Sequence, residues 1–493
     1  MIFKRVVFFY GMVGMICLLT SLSYGNEIPD QVKQDSSHPE EAKRPLSRFQ
    51  MPGYVRNETA YRLFRPSAYT KLLNIVSLYP TYAYGSHLSL SGRIRAFYDA
   101  VYDLEDVDTI SPRKGPDVIL TQSQNPGDVP PVIQADNVRD VEIRKQGVSL
   151  KEFYLDLHFS NLDVRAGKQI VRWGVNEGAR VLDEINPLDF EEYILREVED
   201  RYIPLWMVKT DLYYKESRLE ALLIPDLEFH RPAPSGSEWE QSQFVGEIEK
   251  PPVSIGNSEW AVQLHFPFLG WDSTVSYFYT WDDFPVVFRE IRDVGIFGVS
   301  PVVLFTPRYT RLRIFGGSAT RNIGDYVINA EGALVRGKYF GTRFGNTPSG
   351  PIFEGNGEKQ KNYLKYAFSA ETSVHSVTVS LQFLQQVIMK YDPALIQDQY
   401  DTVWGLFLRR EWIHNTLITQ YLGLFFINKL EWLHRPKITY RVTDSFSTSL
   451  GGDILYGDIS DFNAEGEASP GDFHFVGFFK NNSRIYLEFT YTF

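Results

Sequence analysis

Beyond residue 25 the chain holds no long apolar run, and apolar and polar positions instead alternate in segments of about ten residues. From Leu88 one parity reads Leu88, Leu90, Ile94, Ala96, Tyr98 and Ala100, while the other reads Ser89, Ser91, Arg93, Arg95 and Asp99. Phe153, Leu155, Leu157 and Phe159 alternate with Glu152, Tyr154, Asp156 and His158, and Ile485, Leu487, Phe489, Tyr491 and Phe493 alternate with Arg484, Tyr486, Glu488, Thr490 and Thr492. A period of two puts the two sets on opposite faces of a strand. Soluble sandwiches alternate as well, so the connections have to decide. Those near Ser86, Asn161, Glu216, Gly270, Asn322, Ser373, Asn415 and Ser445 are short, whereas 104–148, 174–204, 227–257, 282–302, 338–360 and 458–482 are long. Short and long connections sorted to opposite ends mark an outer-membrane barrel. The pattern predicts an all-β, transmembrane, antiparallel up-and-down barrel of about 18 strands, or 14 or 16 if a strand is split or a loop miscounted. The chain enters from the periplasm near Tyr54, leaving the long loops extracellular.

Composition agrees with a two-faced sheet. Aromatic residues make up 15% of 493 residues, with 29 Tyr and 35 Phe, yet mean hydropathy is −0.23. Trp206, Tyr279, Trp281, Tyr491 and Phe493 fall near segment ends, where amphipathic rings suit headgroups; the plainer alternative is a sandwich core. The one apolar block is N-terminal: Lys4 and Arg5, then Val6 to Leu19, then Ser23-Tyr24-Gly25. At about 14 residues it is shorter than the roughly 20 that span a bilayer, and it reads as a signal peptide over 1–25. The only cysteine, Cys17, lies within it, and Met15-Ile16 do not make a lipoprotein site. The mature chain then has no thiol for disulfides, metal or nucleophilic chemistry. Losing Lys4 and Arg5 leaves 48 bases against 61 acids, a net charge of −13 that argues against nucleic acid. Residues 26–52, rich in Gln, Ser, Glu, Lys and Pro, read as a disordered periplasmic tail, and 53–493 as the barrel. The strand ending at Phe493 is the expected closing edge and the feature the barrel-assembly machinery would read.

The stretch Arg165–Phe190 begins as a strand, with Arg165, Gly167 and Gln169 on the lumen parity and Val164 and Ala166 on the other. It ends at Trp173-Gly174, and 175–204 follows as a long loop. Asn186 suits a helix cap, Pro187 a first helical position, and Asp189, Glu191 and Glu192 the positive end of a helix dipole. Leu188, Phe190, Ile194, Leu195 and Val198 form an apolar stripe at helical spacing. An extracellular loop with such a stripe is explained if it folds into the barrel, whose bore at 18 strands is too wide for its own side chains to fill. The loop would then set Asp183, Glu184, Asp189, Glu191, Glu192, Glu197, Glu199 and Asp200 against lumen-facing Arg56, Arg62, Arg93, Arg95 and Arg165. Opposed charges across a constriction select solutes. The alternative is that these charges only solvate an external loop and pair within the wall.

The stretches GYVRNETAYRL (53–63), RAFYDAVYDLED (95–106), AGKQIVRWG with DEINPLDF, RYIPLWMVKTDLYY and FFKNNSRIYLEFTYTF together resemble a porin-like outer-membrane family, the domain of unknown function thirteen-oh-two. They are more distantly similar to alginate-export barrels. The resemblance covers most of the mature chain and implies a barrel with a transport-like role, but no substrate.

No Gly-rich phosphate loop, His-Glu-x-x-His helix or Gly-x-Ser-x-Gly elbow appears. His158 with Glu152 and Asp156 reads as lumen lining rather than an acid-base cluster. Asp461, Asn463, Glu465, Gly466 and Asp472 approach a calcium loop, but Pro470 and the ligand types spoil the match. The expectation is a channel in the bacterial outer membrane, not an enzyme, without cofactor or metal, passing a small or oligomeric solute with a modest cation preference. Its partners are outer-membrane lipid and that solute. The alternatives are a closed barrel for export or binding of lipid or polysaccharide, a lateral-exit conduit, and a barrel-borne enzyme.

Overall fold

The computed structural model describes residues 47–493 apart from 113–116, 120–133, 137–142, 177–179, 241–243, 246–247, 249, 293–301, 343–344, 348–349, 353–356 and 459–473. The expected signal peptide, residues 26–46 of the expected tail and the calcium-loop candidate lie outside the described residues.

Eighteen strands follow one another around a single ring. They are β1 (Gly53–Arg62), β2 (Tyr69–Leu78), β3 (Leu88–Asp99), β4 (Gln146–His158), β5 (Leu162–Gln169), β6 (Leu205–Tyr214), β7 (Ser217–Ile224), β8 (Glu259–Phe268) and β9 (Trp271–Trp281). The second half comprises β10 (Arg311–Ile323), β11 (Tyr326–Gly341), β12 (Glu358–Val374), β13 (Val377–Ile388), β14 (Tyr400–Trp412), β15 (Leu417–Phe426), β16 (Glu431–Arg441), β17 (Phe446–Tyr456) and β18 (Arg484–Thr492). Each pairs antiparallel with the next, and β18 returns to β1 from Tyr54 opposite Thr492 to Arg62 opposite Arg484. Closure removes every sheet edge, the condition for backbone to lie in hydrocarbon.

Alternation supplies the two faces. Down β6, Trp206, Val208, Leu212 and Tyr214 are exposed on one side, while Leu205, Met207 and Asp211 are buried on the other. The exposed set runs ring, aliphatic, aliphatic, ring from rim to rim, which is a lipid belt between two aromatic girdles. The expected parities of β3, β4 and β18 match: Ile94, Tyr98, Phe153, Ile485, Phe489 and Tyr491 are exposed, and Arg93, Arg95, Asp156 and Glu488 buried. An apolar outer belt on a closed barrel places the protein in the outer membrane.

At one end the turns are tight. Leu269-Gly270 and His375-Ser376 both have positive φ at their two residues, as a two-residue turn matching strand twist requires. The turn expected near Asn322 falls at 324–325, because β10 continues through Ile323. Residues 47–50, assigned above to a disordered tail, instead form a short strand antiparallel to Thr81–Tyr84. At the other end the connections are long, with two exceptions: β1 and β2 are joined by only residues 63–68, and β15 and β16 by only Ile427–Leu430. The connection after β9 is not plain loop, since Val286–Arg292 and Val302–Arg308 pair as a hairpin outside the barrel ring.

Candidate functional site

The connection from β5 to β6, residues 170–204, lies inside the barrel, and its anchors show how. Asn186, buried completely, accepts from the Val171 backbone N–H at 2.8 Å and donates to the carbonyls of Ile203 at 2.9 Å and Gln169 at 3.4 Å. One amide thus ties together the ends of β5 and β6 and the middle of the loop. The helix expected over 186–198 does not form. Leu188 and Asp189 are extended, bridging to Tyr202 and Arg231, Tyr193 takes φ 57°, and only Val198–Arg201 makes a helical turn. Backbone donors after Asn186 find partners elsewhere, Leu188 on His230 Nδ1, Asp189 on the Arg201 carbonyl and Phe190 on the Arg231 carbonyl, so the segment needs no helical ladder.

The apolar stripe is nonetheless buried: Leu188, Phe190, Ile194 and Leu195 pack with Val181, Leu182, Tyr193 and Tyr202 into a core shared with inward residues of the wall. Those wall residues, among them Met207, Leu222, Phe278, Ile314, Val335, Leu384, Leu422 and Leu455, come from β6 to β17. Trp239, Phe284, Phe475 and Phe479 from three other long connections complete this core. At Gly316 on β10 a Cβ would lie 2.2 Å from Leu182 Cδ2, so glycine is what lets the loop approach the wall. Burying the four stripe side chains at about 1.5–3 kcal/mol each contributes on the order of 6–12 kcal/mol as an upper bound.

Polar residues fasten the loop on both sides of the ring. Glu184 pairs with Lys365 of β12, and Glu331 of β11 accepts from the Val175 N–H at 2.5 Å and from the Asn176 N–H. Asp200 meets Arg93 at 2.8 Å and Arg95 at 3.6 Å on β3. Because β3 and β12 stand nine strands apart in a ring of 18, the loop crosses the whole lumen. Beyond Asp200, Glu192 reaches Lys71 of β2 at 2.7 Å and Arg484 of β18 at 3.4 Å, and Glu197 reaches Lys437 of β16 at 3.3 Å.

The result is a barrel with two unlike walls. One, β6 to β15, supplies most of the apolar wall residues that the loop covers. The other, running β16 to β4 through the closure, carries Arg435, Lys437, Arg484, Arg56, Lys71, Arg93 and Arg95 and faces the loop's acidic edge. Between them lies a cleft lined by Glu58, Glu192, Glu197, Asp200, Asp453 and Glu488 and by Lys71, Arg95, Arg196, Arg435 and Arg484.

Proton equilibria of the loop follow from this packing. Burial pushes the Asp200 carboxyl up, but Arg95, Arg93 and Arg56 outweigh it and hold the group well below the usual range. Glu192 is likewise depressed: Lys71, Arg196 and Arg484 overcome its desolvation. Glu197 goes the other way, raised by burial and by the facing Glu488 despite Lys437.

Not every residue expected at the constriction is at the cleft. Arg62 donates to the carbonyls of Pro66 at 2.8 Å, Ile110 at 2.6 Å and Thr109 at 2.5 Å, holding two rim loops. Arg165 pairs with Asp156 at 2.6 Å on the neighbouring strand and stacks on Tyr154, without touching the loop. Gln169 is buried in the wall, donating to the Met207 carbonyl at 3.2 Å. Arg56 lies 3.5 Å from Glu58 on its own strand. Asp183 accepts from the Tyr202 hydroxyl and faces Arg172 at 3.8 Å, and Asp189 and Glu191 pair with Arg196 of the same loop at 3.0 and 2.8 Å. The side chain of Glu199 is outside the described residues. Sequence reasoning passed over Lys71, Arg196, Arg435, Lys437 and Arg484. The signal for four of them was present, since Arg435 and Lys437 share a parity on β16, Lys71 shares one with buried Leu73 and Ile75 on β2, and Arg484 shares one with Glu488 on β18. His158 contacts Asp163 at 2.9 Å while Asp156 is taken by Arg165, so the trio with Glu152 is dispersed.

No curated protein matches the chain. Among solved structures it is similar to Pseudomonas aeruginosa OpdK with vanillate (TM-score 0.46, 10% identity, covering 90% of this chain and 98% of that one). It is also similar to Acinetobacter baumannii OccAB2 (0.47, 9%, 90% and 98%) and to P. aeruginosa OccK2 in complex with glucuronate (0.45, 9%, 90% and 97%). A family model described as "Protein of unknown function (DUF1302)" matches residues 74–458, most of the chain, and the protein therefore belongs to that family.

Proposed function

We propose that the protein is a porin-like channel whose conducting path is the charged cleft between the 170–204 loop and the basic wall. One observation carries this reading: a loop fastened to strands nine apart crosses the lumen, and its acidic edge is held to the basic wall by ion pairs that leave a charged cleft beside them, where its apolar edge packs without a gap. A loop meant only to seal the bore has no need of opposed charge at its last gap. Opposed rows of fixed charge orient a dipolar or charged solute and reject apolar ones, with no bond made or broken, so the reading is non-enzymatic. The purified protein in a planar bilayer is expected to conduct, and silence across pH 5 to 8 would rule the channel out.

A second reading is favoured by the aromatic core that Tyr193, Trp239, Phe475 and Phe479 build from three connections in the barrel mouth. On that reading the barrel is shut and works as a lipid- or polysaccharide-binding component of an export system. It predicts no conductance in the intact protein and large conductance once the loop is cut out.

A further inference from the structure

The outer surface carries a feature that transport through the bore does not use. On β9 to β11, lipid-facing side chains form layers that cross-strand register defines. Tyr277, Phe315 and Leu334 make one apolar layer, with Tyr277 opposite Phe315 and Phe315 opposite Leu334. The next layer toward the long-loop end reads Trp260, Tyr279, Arg313, Arg336: Trp260 opposite Tyr279, Tyr279 opposite Arg313, Arg313 opposite Arg336. Both guanidinium-bearing residues are exposed on the lipid side. Two cations directly opposite on neighbouring strands repel, and lipid-facing Arg is unfavourable unless it lies at the headgroup level. The adjoining Trp260 and Tyr279 put it there, in the aromatic girdle of the extracellular side.

Nothing among the described residues neutralises either cation. Among the described residues, no carboxylate reaches Arg313 or Arg336; the only close partner of either is the Phe315 ring, 5.2 Å from the Arg336 guanidinium carbon. Arg311, one step above, is by contrast already occupied, lying over the Trp281 ring at 3.9 Å and pointing at the carbonyls of Ser258 and Gly256. A planar guanidinium pairs bidentately with phosphate, and two side by side match one phosphate group or a closely spaced pair. We propose that Arg313 and Arg336 form a binding site on the barrel's outer wall for the phosphate group of an anionic, phosphorylated glycolipid headgroup in the outer leaflet, with Trp260 and Tyr279 packing beside its acyl–headgroup boundary. The site would fix the depth and azimuth of the barrel in an asymmetric membrane.

The test uses the full barrel in detergent, titrated with diphosphorylated lipid A, with the same lipid after phosphate removal, and with inorganic phosphate, following thermal unfolding by intrinsic fluorescence. Wild type is expected to bind the phosphorylated lipid at least about tenfold more tightly than the dephosphorylated one, and inorganic phosphate far more weakly than either. R313Q/R336Q is expected to lose that preference. R321Q, which removes the outward arginine at the opposite end of β10, is expected to keep it. Equal affinity of wild type for the two lipids, inorganic phosphate binding as tightly as the lipid, a preference retained in R313Q/R336Q, or one equally lost in R321Q would each overturn the site. If the double variant does not fold, the wild-type comparison decides alone.

Discussion

Glu192 sits where three cations converge, with Lys71 at 2.7 Å, Arg484 at 3.4 Å and Arg196 at 3.8 Å. Removing one member of a buried ionic cluster leaves its partners without compensation, so the loss falls on loop docking more than on the barrel. Glu192→Gln is expected to weaken docking by about 3 kcal/mol and to raise single-channel conductance and its noise, while heat-modifiable gel mobility still reports a folded barrel. The same carboxylates set a pH dependence. Asp200 and Glu192 have folded values below their ordinary ones of about 3.9 and 4.3, so their contribution is complete above that range and is lost as pH falls through the depressed values. Glu197 is raised, so its charge opposes docking near neutral pH, and protonation relieves it at a higher pH than an ordinary glutamate would need. Conductance is therefore expected to hold or fall slightly as Glu197 protonates and to climb below about pH 4, under the ordinary carboxylate range. Glu197→Gln should abolish the first phase alone, and a conductance rise centred near pH 6 would contradict the charge assignment.

At the scale of the element, the loop behaves as one amphipathic strap whose course Asn186 sets. Asn186→Ala removes three hydrogen bonds and strands the Val171 donor and two carbonyls, a cost of about 1–3 kcal/mol. The expected outcome is a loop cleaved by external protease in intact cells while the barrel remains, and protection equal to wild type would show that the amide is dispensable. The strands were legible because lumen and lipid demand opposite chemistry at alternate residues, which writes the period directly into β3, β4 and β18. The loop's inward course was legible too, since Leu188, Phe190, Ile194 and Leu195 have no reason to face water. Its conformation was not, because a spacing near 3.6 also fits an irregular chain lying on a curved wall, and the hydrogen bonds that decided against helix come from His230 and Arg231 of the β7–β8 connection and from Arg201. Which lumen side chains meet the loop was hidden for a related reason. Parity names the inward residues, but their height depends on strand tilt and stagger, so Arg165 and Arg62 were as good candidates as Lys71 and Arg484.

For the molecule as a whole, what passes depends on charge left over after pairing. The cleft is lined by six acids and five bases, close to balance even though the whole chain carries 61 acids against 50 bases. Most of the excess acid lies elsewhere, where screening beyond about 10 Å at 0.1 M salt keeps it from governing permeation. A near-balanced constriction predicts only a slight preference for cations over anions, weaker than a row of unpaired loop acids would give. It also predicts that the preference is fragile. Glu192→Gln with Asp200→Asn leaves four acids facing five bases and should turn the channel anion-selective, as read from the reversal potential in a tenfold KCl gradient. Lys71→Gln should shift the potential the opposite way. If the double variant kept the wild-type sign while conducting normally, the cleft would not be the selecting element, and the path would have to run through another part of the lumen.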